Sequence, residues 1–258
     1  MKQYIKYLFL FVIITSSFYI TEKTAILNRS NDPILKAIID YSKDYNYEAV
    51  NAEINDNYIT PGLYGKRVNE VKSLMKMKSD GVFNSIFLSF DDIKPEISLS
   101  NNKDKIINRG NKNKNAISFI LENDETNVVT YLISNKINSD ILVNKSSINQ
   151  NKFFEQINND FNNYSDVEKM LNKNKINTNI CLISRNNKEY CIRNKKYLVE
   201  PTYVLNSSNL VTIKNKISSG DIILIKDNVS IDDVSYLVNY INSKGLKIIK
   251  LSELISEK

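Results

Sequence analysis

Apolar positions along the chain follow two different regimes. In "NDPILKAIIDYSKDYNY", Ile34, Ile38, Tyr41 and Tyr45 recur at three- and four-residue intervals with Leu35 and Ile39 beside them. That spacing predicts one buried helical face, with Asp32 as N-cap and Pro33 at the first position. "EAVNAEI" reads as a short strand and "TPGLYG" as a loop. "RVNEVKSLMKMKSDG" reads as a second helix stopped by Gly81, and "FNSIFLSF" as a strand. The polar run "LSNNKDKIINRGNKNKN" reads as a linker.

From Ala116 onward, strands and helices alternate. "AISFIL", "SDILV", "TNICLIS", "DIILI" and "LKIIKL" are apolar strands, and "KYLVEPTYVL" is extended. Between them, "ETNVVTYLISNKI" places Val128, Val129, Leu132 and Ile133 inward. "KFFEQINNDF" places Phe154, Ile157 and Phe161 on one helical face, and Ser165 with Glu168 makes a capping-box start to "DVEKMLNKN". "NLVTIKNKISSG" is a helix ending at Gly220. "IDDVSYLVNYINSKG" opens after Ser230, turns Val234, Leu237, Val238 and Ile241 inward, and stops at Gly245; "SELISEK" is a last helix. Near-continuous apolar strands between amphipathic helices predict a parallel sheet covered by helices, as a barrel or an open doubly wound sheet.

The extreme N-terminus fits neither regime. Lys2 and Lys6 precede an uncharged, largely apolar run from Tyr7 to Ile20. This is the layout of an export segment. Its fourteen residues fall short of the roughly 20 that span a bilayer, and small residues cluster at Thr15-Ser16-Ser17 without an A-x-A site. Residues 1–25 are expected to be a cleaved signal or a membrane anchor. Outside the cell Cys181 and Cys191, with nine residues between them, form a disulfide or remain two buried thiols.

Composition then narrows the chemistry. The 258 residues carry a formal charge of +6 and 42% apolar residues, enough for an ordinary core. The lysines are scattered rather than gathered in a stripe, which reads as a solvated surface and not a nucleic-acid groove. There is no histidine and no tryptophan. His-dependent triads and HExxH sites are therefore excluded, and two cysteines are too few for an all-cysteine zinc site. Ser89-Phe90-Asp91-Asp92 in "LSFDDIKPE" offers two adjacent carboxylates at a strand end. Pro95 and a polar run follow it instead of a helix and second parallel strand, so both acids read as strand-end or turn residues.

"SSGDIILIKDNVSIDDVSYLVNYINSKGLKIIKLSELISEK" resembles the last third of the polysaccharide deacetylase (NodB-type carbohydrate esterase) domain, and "NRGNKNKNAISFI" resembles the entry to that family's first strand. Asp32–Leu99, with "NAEI" and "PGLYGKRVN", resembles the N-terminal extension of its membrane-anchored, sporulation-type members in Gram-positive bacteria. The resemblance implies an α/β fold, a distorted (β/α) barrel of the polysaccharide deacetylase type with a small α+β N-terminal region. Boundaries follow at 31–107 and 108–258. The family hydrolyses a sugar N-acetyl group with a divalent metal held by one Asp and two His, a second Asp as base and a late His as acid.

Carried across residue by residue, the base position is Ile120, the metal-ligand Asp position is Leu121 and the late His is Lys226. The remaining motifs have no counterpart. Only Arg185 lies near the place of an Arg-Pro-Pro-Tyr motif. The resemblance thus implies no cofactor and an extracytoplasmic pseudoenzyme that binds cell-wall glycan or an envelope protein. Ligand-binding candidates are Glu122, Asp124 and Asp227 past the strand ends. The alternative is an N-deacetylase acting on peptidoglycan or chitin-type glycan, with a site rebuilt from Glu122, Asp124, Asp140, Asp227 or Lys226.

Overall fold

The computed structural model describes residues 11–17, 19, 31–123, 127–148, 153–160, 162–176, 179–184 and 187–258. In chain order the elements are α1 (Pro33–Tyr45), β1 (Glu53–Asn55), β2 (Tyr58–Thr60), β3 (Gly65–Val68), α2 (Glu70–Met77), β4 (Phe90–Ile93), β5 (Ile106–Ile107) and β6 (Ala116–Leu121). There follow α3 (Asn127–Ser134), β7 (Ser139–Val143), β8 (Phe154–Asn158), α4 (Tyr164–Lys173), β9 (Ile180–Leu182), α5 (Lys188–Arg193) and β10 (Tyr197–Val199). The chain continues through β11 (Tyr203–Leu205), α6 (Leu210–Lys216), β12 (Ile222–Ile225), α7 (Ile231–Ser243), β13 (Lys247–Ile248) and α8 (Leu251–Ile255). Much of the expected export segment lies outside the described residues. Residues 11–17 are helical and exposed. Among the described residues no helix is long and apolar enough to cross a membrane.

The described residues form two compact units, one within residues 1–49 and 65–93 and the other within residues 50–64 and 94–258. Residues 50–64 belong with the second unit through the pairing of β2 with β5. In the first unit the Asp32 carboxylate accepts the amides of Ile34 and Leu35 at 2.9 and 3.3 Å and starts α1 ahead of Pro33. Leu35 and Ile38 pack on Leu74 and Met77 of α2 and on Val68 of β3. The strand expected over "FNSIFLSF" divides. Ser85–Phe87 is a 3-10 turn, and the strand proper, β4, pairs antiparallel with β3. Phe83, Phe87 and Leu88 pack into the core.

The second unit holds two arcs of strands. One has the order β11-β12-β6-β7-β8 and is parallel throughout, with β13 added beside the start of β6. The other has the order β1-β2-β5-β10-β9, with an antiparallel hairpin at one edge. Side chains alternate with period two. Ile117, Phe119 and Leu121 of β6 face outward, where they join Val128 and Leu132 of α3, Val167 of α4, Ile213 of α6 and Leu237 of α7. Ala116 and Ile120 face inward. There they meet Leu142, Ile157, Ile222 and Leu224 of the first arc and Ile107, Ile180, Leu182 and Val199 of the second. The described strands do not close a ring of ladder bonds; this shared apolar interior joins the arcs instead. The result is an α/β fold of the distorted (β/α) barrel type.

The segments before β6 and before β12 meet directly. The Gly110 amide donates to Gly220 O at 2.7 Å, and Arg109 pairs with Asp221 at 2.6 Å. Gly220 has φ +92°, and a Cβ there would stand 2.4 Å from Gly110 O. Only glycine meets both conditions.

Three local expectations are corrected. Within "KFFEQINNDF", Phe154–Asn158 is the strand β8, not a helix, while Phe161 lies outside the described residues. Phe154 packs outward and Ile157 inward, so a strand apolar on both faces imitates helical spacing. The polar linker contains β5, whose two isoleucines sit between β2 and β10. Ser165 is not the cap of α4, which starts at Tyr164. Glu168 instead pairs with the buried Lys196 at 2.6 Å and accepts Asn158 Nδ2 at 3.2 Å.

Candidate functional site

In barrels of parallel strands, chemistry is held at the strands' carboxyl ends. Here the inward layer at those ends is Ile120, Leu142, Ile157, Leu182, Val199 and Leu224. Each is the last or next-to-last residue of its strand, and all are buried. The period-two alternation that puts Ile120 in this layer turns Leu121 outward under the helices. An aliphatic layer offers no proton donor, no acceptor and no metal ligand.

Polar groups stand above this layer rather than in it. Lys226 follows β12 and forms an ion pair with Glu122, which follows β6. The second Glu122 oxygen accepts the Asp227 amide at 3.3 Å, and the Glu122 amide donates to Ile225 O at 3.0 Å. The parallel register Leu121↔Ile225 makes these two strand-end residues neighbours. Asp227 lines a shallow concavity with Asn127, Ser230 and Asp232. Asp124 lies outside the described residues, as does Arg185.

A wider concavity of about 760 Å³ opens past β7 and β8, lined by Asn144, Lys145, Ser146, Asn159, Asp160 and their neighbours. The Asp160 carboxyl is held below the usual range, first by the Asn163 amide that it accepts at 2.9 Å. Exposed amides, a hydroxyl and a lysine suit hydrogen bonding to a hydroxylated ligand.

The interior carries acids of a different kind. Asp140 of β7 is fully buried and accepts Ser118 Oγ and the Leu251 amide, both at 2.8 Å. Its other oxygen has no hydrogen-bond partner among the described residues. Glu155, its register partner on β8, accepts the Ser252 amide at 3.1 Å. Burial, and then the Glu155 charge, push the Asp140 carboxyl well above the usual range. The pair caps the first turn of α8, whose Leu251, Leu254 and Ile255 fill the amino end of the barrel.

Cys181 of β9 and Cys191 of α5 are joined in a disulfide, and the Tyr164 hydroxyl donates to Cys181 Sγ at 3.4 Å. Asp91 and Asp92 belong to the first unit on β4. Asp91 accepts Asn69 Nδ2 at 2.6 Å and Lys72 Nζ at 3.2 Å, and the Asn69 bond leads in lowering its carboxyl below the usual range. Among the described residues no group of three or more His, Cys, Asp or Glu is placed to hold a metal. The Asp140–Glu155 pair was not expected as a unit. Its signal was a lone acid in each of two strands whose other inward residues are apolar.

No family profile matches the chain. A stretch of 99 residues is 28% identical to the uncharacterized protein YlxY of Bacillus subtilis strain 168. It covers 38% of this chain and 31% of that protein, so under a third of the relative's length is spanned. The fold is similar to that of a wild-type CE4 family pseudoenzyme from Bacillus anthracis, with a TM-score of 0.59 and 17% identity, covering 88% of this chain and 96% of that one. A mutant of that pseudoenzyme with restored enzymatic activity gives a TM-score of 0.60 at 17% identity, covering 87% of this chain and 98% of the other. At such identity the likeness is one of fold.

Proposed function

We propose that the chain is a non-catalytic member of the polysaccharide deacetylase (CE4) family, working outside the cytoplasmic membrane and binding cell-wall glycan or an envelope protein. The observation that carries this reading is the aliphatic layer Ile120, Leu142, Ile157, Leu182, Val199 and Leu224, which fills the strand ends where a hydrolase of this fold needs a base and metal ligands. Glu122 and Lys226, which follow the ends of β6 and β12, satisfy each other, which disfavours a hydrolytic site rebuilt on them. The lysine-led apolar run at residues 2–20 supports export, as a signal or an anchor. The polar concavity past β7 and β8 is the surface offered to a glycan.

The test is acetate release from acetylated chitin oligomers and from peptidoglycan, with and without added Zn²⁺, Co²⁺ or Mn²⁺. No release is expected. Metal-dependent release would overturn the non-catalytic reading. Co-sedimentation with purified cell wall distinguishes glycan binding from a protein-directed role.

A further inference from the structure

We propose that the outer edge of the first unit, formed by α2 and the turn packed against it, rests on a lipid surface with the α2 lysines among anionic headgroups. This rests on the reading that the run Tyr7–Ile20 enters the membrane. α2 turns Leu74 and Met77 into the core and leaves Val71 and Met75, one helical turn apart, at 41% and 70% exposure. The next segment repeats the pattern. Phe83 and Phe87 enter the core, while Val82 and Ile86 stand out at 62% and 83% exposure. The 3-10 turn carrying Ile86 packs on α2. Scattered exposed apolar side chains are ordinary, but four of this size on a helix and the turn beside it mark an interaction surface.

The charge around the edge selects the occupant. At 100° per residue, Met75 projects midway between Lys72 and Lys78, the αR C-cap residue, with Lys76 on the flank of the same exposed arc. Glu70 and Asp80 stand only at the ends of the helix, and Lys72 also pairs with Asp91 at 3.2 Å on an exposed surface. Apolar tips ringed by lysines suit the interface of a bilayer, where the tips enter by about 5–10 Å and the ammonium groups remain at headgroup level. The sequence also keeps this unit close to lipid. Eleven residues separate Ile20 from Asp32, a reach of at most about 40 Å at 3.3–3.6 Å per residue.

The chain has no tryptophan, so a single introduced one reports its own surroundings. The full chain carrying Ile86→Trp is reconstituted into vesicles of phosphatidylglycerol and phosphatidylcholine bearing brominated acyl chains. A parallel Val211→Trp variant on α6, also at an exposed position, is the reference. The expected result is flotation of both variants with the vesicles, and a blue-shifted emission for Ile86→Trp quenched several-fold more than Val211→Trp. Removing phosphatidylglycerol is expected to weaken that quenching. Flotation with equal, weak quenching of the two variants overturns the lipid-contacting edge and leaves the anchor reading standing. Failure to float overturns both.

Discussion

Asp140 and Glu155 face each other across the β7–β8 ladder, and each receives a backbone amide from the first turn of α8. Two carboxylates so placed do not both ionise readily, and burial leads in holding the proton on Asp140. The folded state therefore binds this proton more tightly than the unfolded chain. Its contribution to stability is complete below the ordinary carboxylate pKa of about 3.9 and is lost as pH rises through the raised folded-state value. Urea midpoints are expected to show this decline, and Asp140→Asn, which keeps an acceptor for Leu251, is expected to flatten it. An unchanged slope in the variant would remove Asp140 as the source.

The disulfide closes a short loop between β9 and α5. For a loop of that size the chain-entropy argument gives about 3 kcal/mol. The Cys181→Ser, Cys191→Ser double variant is expected to lower the urea-derived unfolding free energy by that order. No loss relative to the oxidised parent would mean that packing around Tyr164 and Leu198 holds α5 against β9 unaided.

Ile120→Asp restores a carboxylate at the position that the family resemblance gives to the base. Ile120 is fully buried in the interior cluster, so an unpaired charge there is expected to cost about 3–5 kcal/mol. Thermal unfolding would register the loss, and acetate release is expected to remain absent. A stable, hydrolytic Ile120→Asp protein would contradict the aliphatic-layer account.

Arg109 and Asp221 join the segments leading into β6 and β12. Asp221 is fully buried while Arg109 is partly in solvent, so the charge left by Arg109→Ala is expected to cost of order 2 kcal/mol, less than for a wholly buried pair. Asp221→Asn, which leaves no buried charge, is expected to cost less. Equal losses in chemical denaturation would show that the hydrogen bonds from Ser218, rather than charge, fix this junction.

Much of the barrel was legible because its strands are apolar on both faces and its helices on one. "AISFIL", "SDILV" and "DIILI" permit little else, and Ser230 and Gly245 delimit α7 with their own chemistry. The misreadings share a cause. β8 has apolar residues three apart on opposite faces, and β5 is two residues long in a polar run, so neither has a distinctive period. α5 sits between two extended stretches and is six residues long, too short for a helical period to show. At the candidate site, the absence of histidine and the aliphatic identities of Ile120 and Leu121 could be read directly. The Glu122–Lys226 and Asp140–Glu155 pairs could not, because their partners lie on neighbouring strands and only the register brings them together.

The placement of α8 bears on how the chain is made. Synthesis runs from the N-terminus, and domains tend to fold as they emerge. β6 emerges well before its partners: its Ile120 waits for Leu224, its Ala116 for Lys247, and the neighbouring strand's Asp140 for the amide of Leu251. Until residues 247–255 leave the ribosome, the barrel lacks the helix that fills its amino end and the strand beside the start of β6. Completion of the second unit is thus dominated by sequence-distant contacts. A nascent chain stalled before residue 247 is the species most exposed to proteolysis and to pairing with the wrong strand.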